Sequence, residues 1–265
     1  MNSILDLIFT FNYYVVAPAV LVFTVFTLPS ILKQNEPTLI SIDGNIGSGK
    51  STLIEFLKKK CKDNTNITFL EEPVSQWINT TDNDNKNVLE MFYEDKNRWS
   101  YIFQNFAFIT RASILLKAIK KNTTNIFSKK KIIISERSVE TDKYVFAKML
   151  NDDNHMNNLE YTIYKTWYDT LFPEIKVKNV IYVRTFPETA YNRMLNRKRK
   201  EEASVPKAYI QMVHKYHDEW LTNNDSGYNI CYLDGNKDMS DNMNDDDNIL
   251  NNHYEKILQF IKSIN

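Results

Sequence analysis

The residues best suited to chemistry in this chain lie in one short stretch, DGNIGSGKST, at positions 43–52. It holds three of the five glycines among 265 residues, so backbone freedom is concentrated there. A loop that wraps its N–H groups around a phosphate needs glycine, because only glycine adopts the required φ and ψ without a clash at Cβ. The spacing Gly-x-x-x-x-Gly-Lys-Ser predicts a phosphate-binding loop, in which Lys50 reaches the β- and γ-phosphates and Ser51 binds Mg²⁺. The residues predicted to hold the phosphates are Gly44, Asn45, Ile46, Gly47, Ser48, Gly49, Lys50, Ser51 and Thr52.

Carboxylates that follow two β-rich runs are the next candidates. Glu71 and Glu72 directly follow the run 67–70, and Glu136 directly follows the run 132–135, so each run ends in at least one acid. In an open parallel sheet, ligands gather beyond the carboxyl ends of the strands, so an acid from each run is expected beside the bound phosphates. One can accept the proton of an acceptor hydroxyl, and the other can hold the water shell of the metal. Ordinary helix-capping acids would show the same spacing, so the pattern alone leaves both interpretations open.

A cationic stretch and an aromatic stretch supply the remaining candidates. Arg193 and Arg197 are four residues apart on a predicted helix and so share a face, and Arg199 follows closely. A lid over a triphosphate would use such arginines, because phosphoryl transfer depends on positioning and charge neutralisation. A solvated basic face is the alternative. The aromatic-rich segment 91–111 is expected mostly in the core, but Gln104 within it can offer its amide to a planar heterocycle.

The elements that must position these residues alternate along the chain. Short apolar, β-branched runs are separated by longer segments with helical periodicity, and the first run leads directly into the glycine loop. This alternation favours an α/β domain of the P-loop NTPase type, with a five-stranded parallel sheet and helices on both faces. The predicted strands are 38–42, 67–70, 132–135, 180–183 and 229–233, and the predicted helices are 50–62, 88–121, 138–150, 159–171, 186–200, 206–222 and 248–263.

Composition limits the partners and the compartment. The formal net charge is zero, so nothing in the overall charge indicates a nucleic-acid partner. Cys61 and Cys231 are far apart and fit neither a metal motif nor a disulfide framework, which suits a reducing compartment. The lysine run at 129–131 is expected to be a solvated basic face.

The N-terminal residues differ from the rest of the chain. The run 7–32 carries no charged side chain and is long enough to cross a bilayer. Asp6 precedes it and Lys33 follows it, so a membrane span would leave the following domain in the cytoplasm. An extension packed on the domain, or a misassigned start codon, is the alternative. We therefore expect a hydrophobic segment at 1–36, able to tether the protein to a membrane, and one domain at 37–265.

Five ordered motifs carry a resemblance to a known family: GNIGSGKST, EEPVSQW, MFYEDKNRWSYIFQ, SERSVETDKYVFA and NRMLNRKRKEEASVPKAYI. Together they resemble the deoxyribonucleoside kinases, cellular and viral enzymes that phosphorylate deoxynucleosides at the 5′-hydroxyl, over about residues 37–265. The resemblance implies a phosphate donor, ATP or another nucleoside triphosphate, used with Mg²⁺ in nucleotide salvage. It also implies a homodimer, since relatives commonly pair helices side by side.

The resemblance also implies roles for residues at the matching positions. Glu72 would be the general base, with Arg137 beside it near the 5′-oxygen and Lys50 completing the catalytic set. Ser51 and Glu136 would hold Mg²⁺ directly or through water. The lid over the phosphates would be formed by Arg193, Arg197 and Arg199, and the loop 234–239 would border the base of the donor. The residues implied to bind the nucleoside are Val74, Trp77, Phe92, Tyr93, Phe103, Gln104, Arg111, Arg137, Asp142, Phe146, Glu202 and Tyr209.

Within that set, Tyr93 and Glu202 would bind the sugar 3′-hydroxyl, and Gln104 would bond the edge of the base. Family members that accept deoxycytidine and deoxypurines carry an Arg and an Asp in the base pocket, where thymidine-preferring members are apolar. Arg111 and Asp142 occupy these positions, which favours deoxycytidine or a deoxypurine over thymidine. A carboxylate held by a guanidinium accepts from an exocyclic amino group, which thymine lacks. Alternatively, the two residues only pair with each other.

Three other functions stay open: a thymidine-preferring kinase, a nucleoside-monophosphate kinase, and a non-catalytic relative in a membrane complex. A monophosphate kinase needs further cations at the acceptor site, whereas Gln104, Tyr93 and Glu72 suit a neutral nucleoside. A scaffold has no need of an intact phosphate loop with its catalytic acids. Two departures from the family pattern are Phe92, where relatives often have methionine, and a lid with no glycine between its last two arginines.

Overall fold

The structure is a computed structural model, and it describes residues 36–123, 129–172, 176–222, 227–237, 239 and 249–264. Nearly all of the predicted hydrophobic segment 1–36, including the run 7–32, lies outside the described residues. The boundary between that segment and the domain at 37–265 therefore stays a prediction.

Five parallel strands form one sheet in the order β2-β3-β1-β4-β5. The strands are β1 (Thr38–Asp43), β2 (Ile67–Leu70), β3 (Ile132–Glu136), β4 (Asn179–Arg184) and β5 (Asn229–Asp234). The predicted parallel sheet is confirmed, and each strand end lies within one residue of the sequence expectation. The central strand β1 buries Ile40 and Ile42 on one face and Ser41 and Asp43 on the other, as a strand covered on both faces must.

Nine helices are described around this sheet. They are α1 (Lys50–Lys60), α2 (Val74–Asn79), α3 (Val88–Glu94), α4 (Lys96–Asn122), α5 (139–152), α6 (Asn158–Leu171), α7 (Pro187–Asn196), α8 (Lys207–Leu221) and α9 (Ile249–Ile264), with a 3₁₀ turn at Lys200–Glu202. The core between the sheet and α1 and α9 is separate from the larger core under α3, α4, α5, α6 and α8. The sheet is thus covered on both faces.

Three features of the helices differ from the sequence expectation. The helix expected at 186–200 ends at Asn196, and Arg197 is its C-cap. The single helix expected at 88–121 is two helices, because the side chain of Asp95 caps α4 by accepting from the backbone N–H of Arg98 at 3.2 Å. The helix α2 has only six residues, too few to show a helical period.

The helix α5 is irregular in the middle. It is α-helical at Val139–Thr141, π-helical at Asp142–Ala147 and α-helical again at Lys148–Asp152. A π-helical turn widens the helix and changes where its side chains point, which is why such turns are frequent at functional sites. Asp142 and Phe146, both predicted site residues, lie in this turn.

The helix α4 is the one described helix long and apolar enough to cross a membrane. Half of its most apolar window is buried inside the protein, and its residues belong to the larger core. We therefore interpret α4 as a core helix of the domain.

The glycine loop between β1 and α1 lies against the helix α7. Gly47 has a φ of 74°, in the left-handed region that disfavours other residues. A Cβ at this position would overlap the backbone carbonyl of Ala190 in α7. Glycine is required here for both reasons, and α7 is thereby held directly against the phosphate loop.

Gly47→Ala is expected to lower the free energy of unfolding by more than Gly227→Ala does. Both substitutions place an alanine at a positive φ, which costs about 1–2 kcal/mol. Only at Gly47 does the new Cβ meet another backbone, since no atom lies within 4 Å of a Cβ built at Gly227. Chemical denaturation of the two variants measures the difference, and equal losses would contradict the close packing of the loop on α7.

Candidate active site

A cavity of about 730 Å³ opens at the carboxyl edge of the sheet, between the glycine loop and the helices α3, α4, α5 and α7. All of the predicted site residues line it except Gly44 and Asn45. The side-chain amide of Asn45 instead donates to the carbonyl of Ile210 at 2.8 Å, which ties the loop to α8. Met239, in the loop after β5, also lines the cavity.

The glycine loop ends at α1, and its lysine is buried at the floor of the cavity. Lys50 Nζ donates to the carbonyl of Asn45 at 2.7 Å. Burial, and then the nearby charge of Arg137, lower the pKa of Lys50 to about 7. The N-terminus of α1 points its free N–H groups at the same place, which suits an anion. Phosphate oxygens bound here would interact with both the Lys50 ammonium group and the positive end of the α1 dipole.

The first turn of α1 and the end of β3 bring two oxygen ligands together. The hydroxyl of Ser51 donates to Oε1 of Glu136 at 3.0 Å. Mg²⁺ takes oxygen ligands, keeps several of its waters, and is usually held by one or two protein groups together with substrate phosphates. A hydroxyl and a carboxylate beside a phosphate loop fit that requirement. Among the described residues, no group of three or more His, Cys, Asp or Glu side chains is placed to hold a metal ion.

Glu72, after β2, is held by two buried arginines. Its Oε1 accepts from Arg111 at 2.7 Å, and both of its oxygens accept from Arg137 at 2.8 Å. Burial alone would raise the pKa of Glu72, but Arg137 and Arg111 outweigh burial and lower the pKa to about 2. The carboxylate is therefore ionised at neutral pH and can accept a hydrogen bond from a hydroxyl.

Arg137 occupies a strained position directly after β3. Its φ of 58° is left-handed, and its backbone N–H donates to the carbonyl of Ile42 at 3.0 Å. Its guanidinium contacts the carbonyl of Gly44 at 3.4 Å and lies 5.3 Å from the ring centroid of Phe146. Strained backbone of this kind persists where the surrounding contacts fix it, as they do here.

Arg111 also pairs with Asp142, so one guanidinium contacts two carboxylates. Its Nη1 donates to Asp142 and its Nη2 to Glu72, and the Arg111 and Asp142 side chains are almost completely buried. Burial raises the pKa of Asp142 to about 6, and the pairing with Arg111 opposes this rise without cancelling it. The guanidinium carbon lies 5.7 Å from the ring of Trp77. This pair forms a charged end to an otherwise aromatic pocket.

Aromatic rings and one amide form the rest of that pocket. Phe103 stacks on Phe92 with 4.6 Å between ring centroids and meets Trp77 edge-on at 5.4 Å. Gln104 is 2% exposed, and its carbonyl Oε1 has no hydrogen-bond partner in the part of the chain that is described. A buried amide oxygen without a partner is costly, so a ligand that donates to it is expected to bind here. Apolar faces and one amide suit a planar heterocycle.

The predicted lid arginines are already engaged in this structure. Arg197 Nε donates to Glu202 at 2.9 Å, and Arg199 Nη1 donates to the same carboxylate at 3.0 Å. Arg193 donates to the carbonyl of Gly235 at 2.5 Å and to the carbonyl of Lys237 at 2.9 Å. Both lie in the loop predicted to border the donor base. A triphosphate must therefore compete with Glu202 for two of these arginines.

Tyr93, predicted to bind the sugar, lies close to that carboxylate, and Tyr209 packs against Tyr93. Tyr93 and Tyr209 meet edge-on with ring centroids 6.2 Å apart. Burial, and then the negative charge of Glu202, raise the pKa of Tyr93, so its hydroxyl stays protonated. A protonated hydroxyl and a carboxylate can bind one sugar hydroxyl together.

Several residues of the cavity wall were not found from the sequence. Leu89 lies one turn before Phe92 on α3, and Glu55 lies one turn after Ser51 on α1, so helical spacing could have indicated both. Ser75 lies on the short helix α2 and gave no such signal.

Asp43 is a further residue whose role the sequence did not show. It is completely buried at the end of β1, and burial raises its pKa. It accepts from the hydroxyl of Ser41 at 2.5 Å and from the hydroxyl of Thr141 at the start of α5. This contact joins the strand before the glycine loop to the helix that carries Asp142.

The fold is that of a P-loop protein, and the site places a glycine loop beside an aromatic pocket that suits a planar heterocycle, as in a nucleoside kinase. A family model described as deoxynucleoside kinase matches residues 40–259. The chain therefore belongs to the deoxynucleoside kinase family, as the sequence motifs predicted, and it is an enzyme of that kinase class.

Curated relatives agree with this assignment. A fowlpox virus protein named "Probable deoxycytidine kinase" is 39% identical over 223 residues, covering 82% of this chain and 87% of the relative. Human deoxycytidine kinase is 31% identical over 253 residues, covering 88% and 94%. The mitochondrial deoxyguanosine kinase of Xenopus laevis is 32% identical over 204 residues, covering 72% and 75%.

Proposed function

We propose that this kinase transfers the γ-phosphate of ATP, or of another nucleoside triphosphate, to the 5′-hydroxyl of deoxycytidine or a deoxypurine nucleoside, in nucleotide salvage. The observation that carries this proposal is the buried Arg111–Asp142 pair in the aromatic pocket, beside the unpartnered amide oxygen of Gln104. The relatives named deoxycytidine kinase and deoxyguanosine kinase act on substrates of this class, which supports it.

The charged end of the pocket favours a base with an exocyclic amino group. Asp142 is held by Arg111 and can accept a hydrogen bond from such an amino group, and Gln104 Oε1 offers a second acceptor. Thymine carries a carbonyl and a methyl group in place of the amino group, so its ring N–H can donate to Gln104 but it leaves the buried Asp142 without a donor. Sites with buried polar groups reject an analogue that leaves them unpaired by large factors. A thymidine-preferring kinase is therefore the less favoured alternative.

Glu72 is the proposed general base. Its carboxylate is ionised and accepts three hydrogen bonds from Arg111 and Arg137. A carboxylate has about four acceptor positions, so one is left for the 5′-hydroxyl of the nucleoside. Its low pKa makes it a weak base for a free hydroxyl, so we expect the proton to move only as the phosphorus–oxygen bond forms and the hydroxyl becomes acidic. The positive charge of Arg137 would stabilise the negative charge on the phosphoryl group during its transfer.

The donor side uses the glycine loop and the lid. Lys50 and the N–H groups of the loop would bind the β- and γ-phosphates, and bound Mg²⁺, held by Ser51 and Glu136, supplies charge neutralisation. Arg197 and Arg199 would leave Glu202 to contact the phosphates. The geometry speaks against a monophosphate acceptor, because the arginines on the acceptor side, Arg111 and Arg137, are already paired with carboxylates.

We also infer a homodimer formed through α4 and α6. These neighbouring helices expose a row of large apolar side chains, which includes Leu159 at 70% and Trp167 at 47% exposure. Large exposed apolar surfaces on soluble proteins mark interfaces, and identical helix pairs from two copies can bury them symmetrically. The exposed residues of this face are Ile109, Leu116, Leu159, Ile163, Trp167 and Leu171.

The location in the cell is likewise a proposal. We infer a cytoplasmic kinase tethered to a membrane through residues 7–32, which carry no charge and are followed by Lys33. These residues lie outside the described part of the chain, so the support comes from their composition.

Glu72→Gln is expected to lower kcat by about 10²–10⁴-fold, because the amide cannot accept the hydroxyl proton. The amide keeps the size of the side chain but leaves Arg137 without its paired carboxylate, so a lower melting temperature is also expected. Isothermal titration calorimetry below that temperature should still show nucleoside binding. Glu71→Gln is the matched control, since Glu71 is largely exposed and pairs with Lys58. An unchanged kcat in the Glu72 variant would remove this residue as the base.

The double variant Arg111→Met, Asp142→Ala is expected to shift the preference toward thymidine by about tenfold or more in the ratio of kcat/KM values. Both charges must be removed together, because either one alone would be left buried without its partner. Steady-state kinetics with deoxycytidine and thymidine measures the ratio. An unaltered ranking in a folded variant would mean that this pair does not recognise the base.

A further inference from the structure

The edge of the sheet opposite the active site carries a concentration of lysines. They come from the end of α1, from the last two turns of α4 and from the segment before β3. We call this surface the basic edge, and its exposed members are Lys59, Lys60, Lys62, Lys117, Lys120, Lys121, Lys129 and Lys130.

The topology brings these three segments together. The helix α1 runs back from the glycine loop to the edge where the strands begin, and α4 ends at the same edge before β3. In the register of the sheet, Ile132 pairs with both Thr38 and Ile67, so β1, β2 and β3 begin side by side. Lys131 Nζ donates to the carbonyl of Thr65 at 2.9 Å, which joins the segment before β3 to the segment after α1.

The charge of this surface is strongly one-sided. Residues 59–63, 117–123 and 129–131 contain nine lysines and one acid, Asp63, and Glu36 before β1 is a second acid at this edge. The formal net charge of the chain is zero, so the basic edge results from segregation of charge within a neutral protein. Such a surface attracts an anionic partner at this edge alone.

The type of cation indicates the kind of partner. The seven arginines of the chain all lie in other segments, and the basic edge contains lysine alone. Lysine is a hydrated point charge, whereas recognition of nucleic acids favours the planar fork of arginine and aromatic side chains that stack on bases. Lysine clusters attract the anionic headgroups of a lipid surface without needing directional contacts.

The position of the N-terminus supports the same partner. The strand β1 begins at Thr38, so the residues before it join the domain at the basic edge. Of these residues, 7–32 carry no charged side chain. The basic edge and an apolar run are therefore separated by only a few residues along the chain, which is the arrangement of a polybasic surface next to a membrane segment.

We propose that the basic edge docks on an anionic lipid bilayer, with the active site directed away from the membrane. The strand β1 spans about 20 Å between this edge and the glycine loop, so the cavity stays open to small substrates. The proposal concerns a surface remote from the cavity and does not depend on which nucleoside the enzyme uses.

Flotation of the full chain with lipid vesicles tests the proposal. Vesicles of phosphatidylcholine alone report binding through apolar residues, and vesicles with about one third phosphatidylserine add the anionic surface. We expect stronger binding to the anionic vesicles, with the difference reduced at about 0.5 M salt because exposed charges are screened. Each lysine near such a surface contributes about fivefold to partitioning, so Lys→Gln at 60, 62, 129 and 130 should reduce the anionic preference by at least about tenfold.

The control variant carries Lys→Gln at 86, 148, 207 and 215, four lysines outside the basic edge that are at least partly exposed, and so has the same net charge. It should keep the anionic preference, and the basic-edge variant should keep the kcat/KM of the natural chain. Equal binding to both vesicle types, or equal loss in the two variants, would overturn the proposal. So would a basic-edge variant that loses affinity for a single-stranded oligonucleotide while its vesicle binding stays unchanged.

Discussion

The site depends on one constraint, the mutual neutralisation of four buried charges. Glu72 and Asp142 supply two carboxylates, and Arg111 and Arg137 supply two guanidinium groups. Removing an ion from water costs several kcal/mol, so each charge persists in the interior only if its partners are in place. The four residues come from the end of β2, the middle of α4, the end of β3 and the π-helical turn of α5. Their pairing therefore fixes how these four elements meet at the carboxyl edge of the sheet.

The same network links recognition to chemistry. Arg111 contacts both Asp142, which is proposed to bind the base, and Glu72, the proposed general base. A substrate that hydrogen-bonds to Asp142 changes how Asp142 interacts with the Arg111 guanidinium, and that guanidinium also donates to Glu72. On the other side of the cavity, Glu202 has a comparable double role, since it lies where the sugar is expected and occupies Arg197 and Arg199. In the proposed function, binding of the donor phosphates and of the sugar hydroxyl would thus involve one shared carboxylate.

Much of this architecture could be predicted from the sequence, because local patterns determine it. Glycine spacing identified the glycine loop, and the ends of the apolar runs located Glu136 and the pair Glu71 and Glu72 beside it, of which the family motif selects Glu72. The break at Asp95 was missed because the apolar period continues across it, although Asp is a common N-cap. The π-helical turn and the hydrogen bonds of Arg197 and Arg199 to Glu202 depend on tertiary packing, which leaves no local pattern in the sequence.

The most direct test of the central claim is a comparison of kcat/KM for deoxycytidine, deoxyadenosine, deoxyguanosine and thymidine, measured on the natural chain with Mg-ATP. A base with an exocyclic amino group should give the highest value, because Asp142 and Gln104 present buried acceptors to it. Thymidine as the best substrate would contradict the account, because the buried Arg111–Asp142 pair would then have a purely structural role.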